Sequence, residues 1–458
     1  MGQFVSTGLN VTMLLLLAAA AAGWLLYRVR YHLRQYGYDV RVDRPCHAFV
    51  KTEVSFETLP DGFVVGECGA DMLLVAEVDV SASPWGFVRL PSVELEMAGK
   101  RSAHFFEHGA KGRRCLPVGP CEEGQAVALR RTRGVSRLKV VRLFAVLSSA
   151  ADDRVMVLSP HPDDAEIAAF GLYSGAKDAA VVTVTAGDGG KRRYREYLPD
   201  ETSAYRLKAD VRVLDSLNVP RLGGVAPERI VNLGYFDGTL EAMFRSPDVP
   251  AVSRRSGAAV PAFFRRHNPG GIVDAGREEA TWQGLVEDLR SAIRVFTPAS
   301  IAVPHPYFDG VKDHRFTTRA LLEALRLEGY GPVRLLLYTN HLPANELYPY
   351  GPSGAAVGLP PVPSDVPEAS GLLVLPLDET AQVRKRAALE MMSILRPDLS
   401  WTTPAGMVAA GCRALGNLLK GKDKSYFRRA VRADELFFVF EGSPEALEAA
   451  LFGPGGDA

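Results

Sequence analysis

The strongest chemical signal in the sequence is Ser-Pro-His-Pro-Asp-Asp at residues 159–164, directly after an apolar run at 154–158. His161 supplies an imidazole, and Asp163 and Asp164 supply two carboxylates. These groups bind metals and transfer protons. The two prolines cannot extend a strand, so they end it and stiffen the turn. Because neighbouring side chains diverge, one aspartate can bind a metal while the other faces its bound water. The alternative is a helix N-cap beside a surface histidine.

A second cluster, His-Pro-Tyr-Phe-Asp-Gly-Val-Lys-Asp-His at 305–314, follows another apolar run at 299–303. Both clusters follow predicted strands, so they should lie at the same edge of one sheet. Two histidines, one carboxylate and an open water position are a catalytic zinc set. Zinc lowers the pKa of its water toward ~7 and polarises an amide carbonyl, and a free carboxylate beside that water accepts its proton. The sequence therefore predicts that His161 and His314 share one ion. A histidine at a helix start is the alternative for His314.

Together the two motifs resemble those of the PIG-L/LmbE de-N-acetylase family. Further segments resemble the family's pattern in the same order: Thr-Ala-Gly-Asp-Gly at 185–189, the helix that carries Arg206, Leu-Gly-Tyr-Phe-Asp-Gly at 233–238, and Ala-Asp-Glu-Leu-Phe at 433–437. The resemblance covers roughly residues 151–440. It implies a Rossmann-like α/β fold that hydrolyses N-acetyl groups of glucosamine-containing substrates.

The resemblance implies a role for each matching residue. His161, Asp164 and His314 would bind one zinc ion, although iron or cobalt could occupy the same ligands. Asp163 would be the general base on the zinc water. Asp313 would orient His314.

Three residues are implied to bind substrate. Arg206 and Asp237 would contact sugar hydroxyls or a neighbouring group, and Asp188 is a third candidate. An ordinary solvated helix charge is the alternative for Arg206, and a turn carboxylate is the alternative for each aspartate.

The chain departs from the family pattern in several places. Val311 stands where many members have a histidine that stabilises the oxyanion and protonates the amine. His305, predicted to be catalytic, or His341 could replace it from another loop; plain loop histidines are the alternative. Ala209 stands where the family helix usually has glutamate, and Glu166 follows the aspartate pair one place later than usual.

The elements that must position these residues are of two kinds. From 150 to 458, apolar runs alternate with helical patterns, which predicts a mostly parallel, Rossmann-like sheet with helices on both faces. From 40 to 149, short β-like runs punctuated by Gly, Pro and Asp predict a small β-rich accessory domain. Five cysteines without a C-x-x-C pair argue against a disulfide framework.

Residues 9–27 carry no charge, and Arg28, Arg30 and Arg34 follow them. This pattern predicts a transmembrane anchor with a juxtamembrane helix at 1–39 and a cytoplasmic catalytic domain. The chain would then be a single-pass membrane protein, with the bacterial inner membrane favoured. A cleaved signal peptide is the alternative.

The predicted function is zinc-dependent removal of acetyl from an N-acetylated amino sugar of the GlcNAc type. The anchor favours a glycolipid or a nucleotide sugar as substrate. Two alternatives stay open: a membrane-tethered glycan-binding or scaffold protein with a non-catalytic metal site, and a zinc O-acetyl esterase. Lys plus Arg equals Asp plus Glu at 53 each, so no nucleic-acid partner is expected. The oligomeric state stays open.

Overall fold

The computed structural model describes residues 2–33, 48–132, 134–194, 197–343, 345, 347–360, 366–396, 404, 407–408, 411–412, 414–415 and 425–453. Helix α1 comprises Gly2–Leu33. Nine strands follow it: β1 Thr52–Val54, β2 Phe56–Leu59, β3 Gly62–Val65, β4 Met72–Ala82, β5 Ser92–Met97, β6 Lys100–Phe105, β7 Lys111–Pro120, β8 Ala126–Arg131 and β9 Val135–Leu147.

These nine strands form two sheets, in the orders β1-β9-β4-β7 and β2-β3-β8-β5-β6, and all of their pairings are antiparallel. Alternate residues of both sheets, such as Val78 of β4 and Val93 of β5, are buried in one apolar cluster. Cys115 in β7 is disulfide-bonded, whereas Cys68, Cys121 and Cys412 are free thiols.

The remaining strands form one seven-stranded sheet, in the order β12-β11-β10-β13-β14-β16-β15. Their bounds are β10 Arg154–Ser159, β11 Asp178–Thr185, β12 Ile230–Tyr235, β13 Ser300–Pro304, β14 Val333–Tyr338, β15 Gly371–Pro376 and β16 Asp434–Gly442. The strands from β12 to β14 are parallel, whereas β16 and β15 are antiparallel. The predicted fold class is confirmed at the level of a mixed α/β protein with several sheets.

The helices of this part are α2 Asp164–Gly175, α3 Glu201–Asn218, α4 Leu240–Arg245, α5 Ala262–Arg265, α6 Trp282–Phe296, α7 Lys312–Leu327, α8 Glu379–Met391, α9 Tyr426–Ala430 and α10 Pro444–Phe452. Strand β10 lies at the centre of the parallel strands, and all of its residues after Arg154 are buried. Its apolar run is therefore typical of a strand covered on both faces.

Two backbone bridges join the ends of the β-rich region to the edge of the large sheet. Phe49 bridges Ala369, and Ser148 bridges Leu372 in the edge strand β15. Three main-chain hydrogen bonds accompany them: Val50 N to Ala369 O and Ala369 N to Ala48 O, both 2.8 Å, and Ser149 N to Leu372 O at 3.1 Å. The β-rich region therefore caps part of this edge.

The predicted membrane anchor is wrong. Among the residues whose placement is described, no helix has both the length and the apolar character needed to cross a bilayer. The predicted single-pass topology and inner-membrane location are therefore wrong. The cytoplasmic placement was deduced from the same anchor and has no support without it. Residues 34–39 of the predicted juxtamembrane helix lie outside the described residues.

Candidate metal centre and active site

The site lies where two loops meet at the carboxyl edge of the large sheet. One loop follows β10 and leads into α2, and the other follows β13 and leads into α7. Because β10 and β13 are paired in parallel, their carboxyl ends are neighbours. The two motifs are thus brought together by strand pairing.

Three atoms form a nearly equilateral triangle at this edge. His161 Nδ1 lies 3.2 Å from His314 Nε2, and Asp164 Oδ2 lies 3.2 Å from the first and 3.1 Å from the second. A tetrahedral zinc site with bonds of about 2.05 Å has edges of about 3.3 Å. Two imidazole nitrogens and one carboxylate oxygen therefore fit zinc in both chemistry and spacing. Asp164 and His314 are buried, while His161 is partly exposed, so the site can be reached.

Asp309 holds the His314 side of this triangle. Its Oδ1 lies 3.0 Å from His314 Nδ1. The same carboxylate accepts hydrogen bonds from the backbone N–H groups of Val311, Asn340 and His341 at 2.9–3.1 Å. Burial alone would lower the pKa of His314, but the carboxylates of Asp164 and Asp309 outweigh it and raise that pKa to about 10.

Asp313 contacts the other histidine, which corrects its predicted partner. Its Oδ2 lies 3.3 Å from His161 Nε2 and accepts a hydrogen bond from Gly238 N at 2.5 Å. His314 is oriented by Asp309 instead, a residue that sequence reasoning did not single out. The structure thus assigns one carboxylate to the back of each histidine.

Asp163 lies near the triangle but is not part of it, and it pairs with an arginine. Arg212 Nη2 donates to Asp163 Oδ1 at 2.9 Å, and Arg212 Nη1 donates to the carbonyl of Gly187 at 3.0 Å. Burial raises the pKa of Asp163 to about 6, although the Arg212 guanidinium works in the opposite direction. A carboxylate with this pKa can both accept and return a proton near neutral pH.

Asp237 lies at the site, and Asp188 lies directly behind it. Asp237 Oδ1 is 3.4 Å from His161 Nε2, and its Oδ2 accepts from Gly189 N at 3.1 Å. His161, Asp237 and Asp313 form a second group with possible ligand geometry, which competes for the same imidazole. Asp188 is fully buried and accepts from Asp237 N and from the Ser256 hydroxyl. Asp188 is therefore placed to position Asp237.

Arg206 is not brought to the cluster. Its Nε donates to the carbonyl of Ser256 at 2.8 Å, so it braces a loop. The same helix instead directs Lys208 and Arg212 toward the site. Lys208 is buried and donates to the carbonyl of Gly189, and burial lowers its pKa to about 8. Both basic residues lie on the buried face of α3. Their spacing of four residues, which places them on one face with the apolar residues, could have indicated this from the sequence.

His305, predicted to be catalytic, is not brought to the triangle, because its ring lies among aromatic side chains. It packs against Phe308 and Phe438, with ring centroids 4.4 and 5.5 Å away. Its Nδ1 accepts from the backbone N–H groups of Tyr307 and Phe308. Burial lowers the pKa of His305 to about 3, so it stays neutral.

His341, by contrast, lies beside the triangle. Its ring centroid is 5.2 Å from that of His314. Glu166 and Ala209, the other departures from the family pattern, are buried in helices α2 and α3. Glu166 accepts a hydrogen bond from the Tyr173 hydroxyl at 3.3 Å, and burial raises its pKa to about 8.

Comparison with known proteins gives one family match. Residues 156–325 match the family described as PIG-L, GlcNAc-PI de-N-acetylase. The predicted resemblance is confirmed for this part of the chain, as is the enzyme class, a metal-dependent de-N-acetylase. No curated protein matches the sequence.

Several solved structures are similar at low identity. The deacetylase Dbv21, which acts on the A40926 pseudoaglycone, is 18% identical over 63% of this chain and 97% of its own, with a TM-score of 0.33. The zinc-inhibited teicoplanin deacetylase Orf2 is 17% identical over 63% and 98%, with a TM-score of 0.28. The 4-carboxy-2-hydroxymuconate hydratase GalB of Pseudomonas putida KT2440 is 15% identical over 64% and 96%, with a TM-score of 0.31. Similarities of this size do not support a functional inference.

Proposed function

Because residues 156–325 form a PIG-L family domain, we propose that this protein is a zinc-dependent hydrolase that removes the acetyl group from an N-acetylated amino sugar of the GlcNAc type. The observation that carries the proposal is the triangle of His161, Asp164 and His314 with Asp163 beside it. Metal binding alone needs only the triangle. Hydrolysis also needs a nearby carboxylate that is not a metal ligand, and Asp163, which is held by Arg212, supplies one.

His161, Asp164 and His314 would hold the zinc ion. When bound, zinc lowers the pKa of a water ligand and polarises the amide carbonyl. Asp163 accepts a proton from the attacking water and returns it to the leaving nitrogen. The water oxygen forms a bond to the carbonyl carbon and the C–N bond breaks. Acetic acid and the amine leave, and the acid proton then passes to the amine to give acetate and an ammonium group. Arg212 keeps the Asp163 carboxylate oriented through its 2.9 Å contact.

Asp237 would contact the sugar. Asp237 is partly exposed beside His161, so its carboxylate is placed to accept hydrogen bonds from hydroxyl groups. Lys208 is buried and donates to the Gly189 carbonyl, so it would hold that segment in place and not contact the sugar itself. Asp188 would act only by positioning Asp237. We propose no lipid or nucleotide carrier for the amino sugar, because that prediction depended on the membrane anchor.

The test is acetate release from a panel of GlcNAc-containing compounds by zinc-loaded protein, with Asp163→Asn as the variant. We expect the variant to retain one zinc and to lose about 10²- to 10⁴-fold in kcat, the usual contribution of a general base. Asp153→Asn is the matched control, because Asp153 is an exposed carboxylate paired with Lys177. Full activity of Asp163→Asn would contradict the proposed role of this residue.

The two alternative functions give different results in the same assay. A scaffold protein with a non-catalytic metal site would bind zinc and release no acetate from any compound. A zinc esterase would release acetate from O-acetyl sugars faster than from the matched N-acetyl sugars, because the same activated water attacks either carbonyl.

A further inference from the structure

Amide hydrolysis places negative charge on the carbonyl oxygen, and a hydrogen-bond donor directed at that oxygen stabilises the charge in addition to the metal. Many polar groups around the triangle are already engaged with neighbours. The Asn340 amide donates to Asp164 Oδ1 at 2.9 Å, and Arg212 donates to Asp163. Elements other than those of Asn340 and Arg212 are therefore the remaining source of a hydrogen-bond donor for the carbonyl oxygen of the substrate.

The segment that carries His341 is fastened to the loop that carries Asp309. His341 N donates to Asp309 Oδ2 at 3.1 Å, and Gly310 N donates to the carbonyl of His341 at 2.8 Å. These two bonds fix the backbone of His341 on both sides. Its imidazole is held edge-on to His314, with 64° between the ring planes.

Tyr426, the first residue of α9, brings a hydroxyl to the same place. Its oxygen lies 3.3 Å from His341 Nδ1 and 3.4 Å from Nε2. The guanidinium of Arg429 lies 4.8 Å from the centroid of the Tyr426 ring and donates to the carbonyl of Asn340. Tyr426 is thus fixed to the segment whose Asn340 side chain contacts Asp164. Tyr426 is partly exposed, which leaves room for a partner on one side of the residue.

The chemistry of this pair suits a donor that keeps its proton. Burial raises the pKa of Tyr426 to about 12, so the phenol remains protonated near neutral pH. A phenolic oxygen can also accept a hydrogen bond. An N–H of His341 can therefore donate to the Tyr426 oxygen and leave the phenolic hydrogen for a third partner.

We propose that Tyr426 is a catalytic residue, whose hydroxyl, supported by His341, donates a hydrogen bond to the carbonyl oxygen of the substrate as that oxygen becomes negatively charged. This inference rests on the proposed function. As water adds to the carbonyl carbon, the C=O electron pair moves onto oxygen, and it returns when the C–N bond breaks. Tyr426 keeps its proton throughout, so the proton balance through Asp163 is unchanged.

The first test is Tyr426→Phe, which removes only the hydroxyl. Loss of one such donor typically costs about 10²- to 10³-fold in kcat. We expect that loss with little change in KM, zinc content or Tm. The control is Tyr330→Phe, because Tyr330 donates to the carbonyl of Pro298 near the opposite end of β13. A Tyr426→Phe variant with the kcat of the parent protein would overturn the proposal.

A second measurement separates oxyanion stabilisation from a structural role. Trifluoroacetyl amides stabilise the negative oxygen through their own fluorine atoms, so they depend less on an external donor. The ratio of parent to Tyr426→Phe kcat should therefore be at least about 10-fold smaller for an N-trifluoroacetyl sugar than for the N-acetyl sugar. An equal ratio for both compounds would indicate a structural role.

A binding measurement keeps this inference separate from the proposed function. Acetohydroxamate binds zinc through oxygen atoms that also accept hydrogen bonds, and its affinity for zinc-loaded protein can be measured by calorimetry. We expect binding to Tyr426→Phe to be about 10- to 100-fold weaker, as for loss of a hydrogen bond to a charged group. If the parent protein releases no acetate from any sugar, the proposed function fails, yet the hydroxamate comparison still decides the role of Tyr426. Equal hydroxamate affinities would overturn it.

Discussion

Replacing Asp309 by asparagine removes a charge behind the metal site while nearly preserving the shape of the side chain. In the parent protein, Asp309 Oδ1 faces His314 Nδ1 at 3.0 Å, so Nδ1 carries the proton and Nε2 is free to bind a metal. Asparagine can place its NH2 group at that position. His314 would then favour the tautomer with the proton on Nε2, which cannot bind a metal.

The expected magnitude follows from this geometry. Loss of a carboxylate behind a metal-binding histidine typically lowers metal affinity about 10- to 100-fold, or about 1.4–2.7 kcal/mol. Asp309→Ala is a harsher change, because three backbone N–H groups lose their acceptor. At about 1–3 kcal/mol each, that loss endangers the fold itself. Asparagine keeps one acceptor oxygen and is therefore the informative variant.

The assay is zinc titration in competition with a chromophoric chelator, combined with thermal unfolding of the metal-free protein. Asp248→Asn is the control, because Asp248 is an exposed carboxylate that accepts from Gln283. Asp309→Asn should bind zinc at least about 10-fold more weakly than the control. A zinc affinity within twofold of the parent protein would refute the assignment of Asp309 as the residue that orients His314.

Three further predictions concern other parts of the structure. Arg265→Met should destabilise the protein by about 1–3 kcal/mol in urea unfolding, because Asp288 and the carbonyls of Leu233 and Asp274 lose a buried donor while Arg277 still pairs with Asp288. Unchanged stability would contradict this. Gly187→Ala should lower kcat about 10-fold or more at unchanged zinc content. The φ of Gly187 is +67°, and a Cβ at this residue would lie 2.4 Å from Arg212 Nη1 and displace the guanidinium. An unchanged kcat would show that Arg212 does not control the orientation of the Asp163 carboxylate. Burial lowers the pKa of His305 to about 3, so its contribution to stability is full above pH 6.5 and is lost as the pH falls toward 3. Tm should therefore decline more steeply between pH 6.5 and 4 in the parent protein than in His305→Asn. Parallel curves of Tm against pH would refute this.

The sequence allowed the triangle to be predicted because strand order does most of the positioning. His161 and His314 each follow a strand, and those strands are direct neighbours. The carboxylates behind the histidines could not be assigned in the same way. Asp309 and Asp313 lie four residues apart, and the path of the loop between them decides which histidine each one meets. That path is fixed by hydrogen bonds from residues 340 and 341, which a local pattern does not reveal.

The helical phase of α3 distinguishes the basic residues that face the site from those that do not. Arg206 and Arg212 are six positions apart, which leaves their side chains about 120° apart around the helix axis, so they cannot both face the site. Arg212 lies on the buried face with Lys208 and Ala209, whereas Arg206 points toward a loop. Buried basic residues on an otherwise apolar face were the better candidates.

The N-terminal prediction failed because an uncharged Leu/Ala run is ambiguous. Leucine and alanine are strong formers of any helix, so their abundance predicts a helix before it predicts a membrane span. The position of His305 also differs from the one expected. It directly follows β13, which ends at Pro304, and its ring remains within the apolar layer beside Phe438.

The bridges from the β-rich region to β15 have a practical consequence for anyone who trims this chain for expression. Deleting residues 1–149 to isolate the deacetylase would remove the partners of Ala369 and Leu372 and leave their backbone groups open to water or to another molecule. Unpaired edges of this kind are templates for intermolecular β-pairing. The shortened protein should therefore be prone to aggregation, and a version that begins near residue 40, which keeps both the bridging residues and all five cysteines, should remain dispersed.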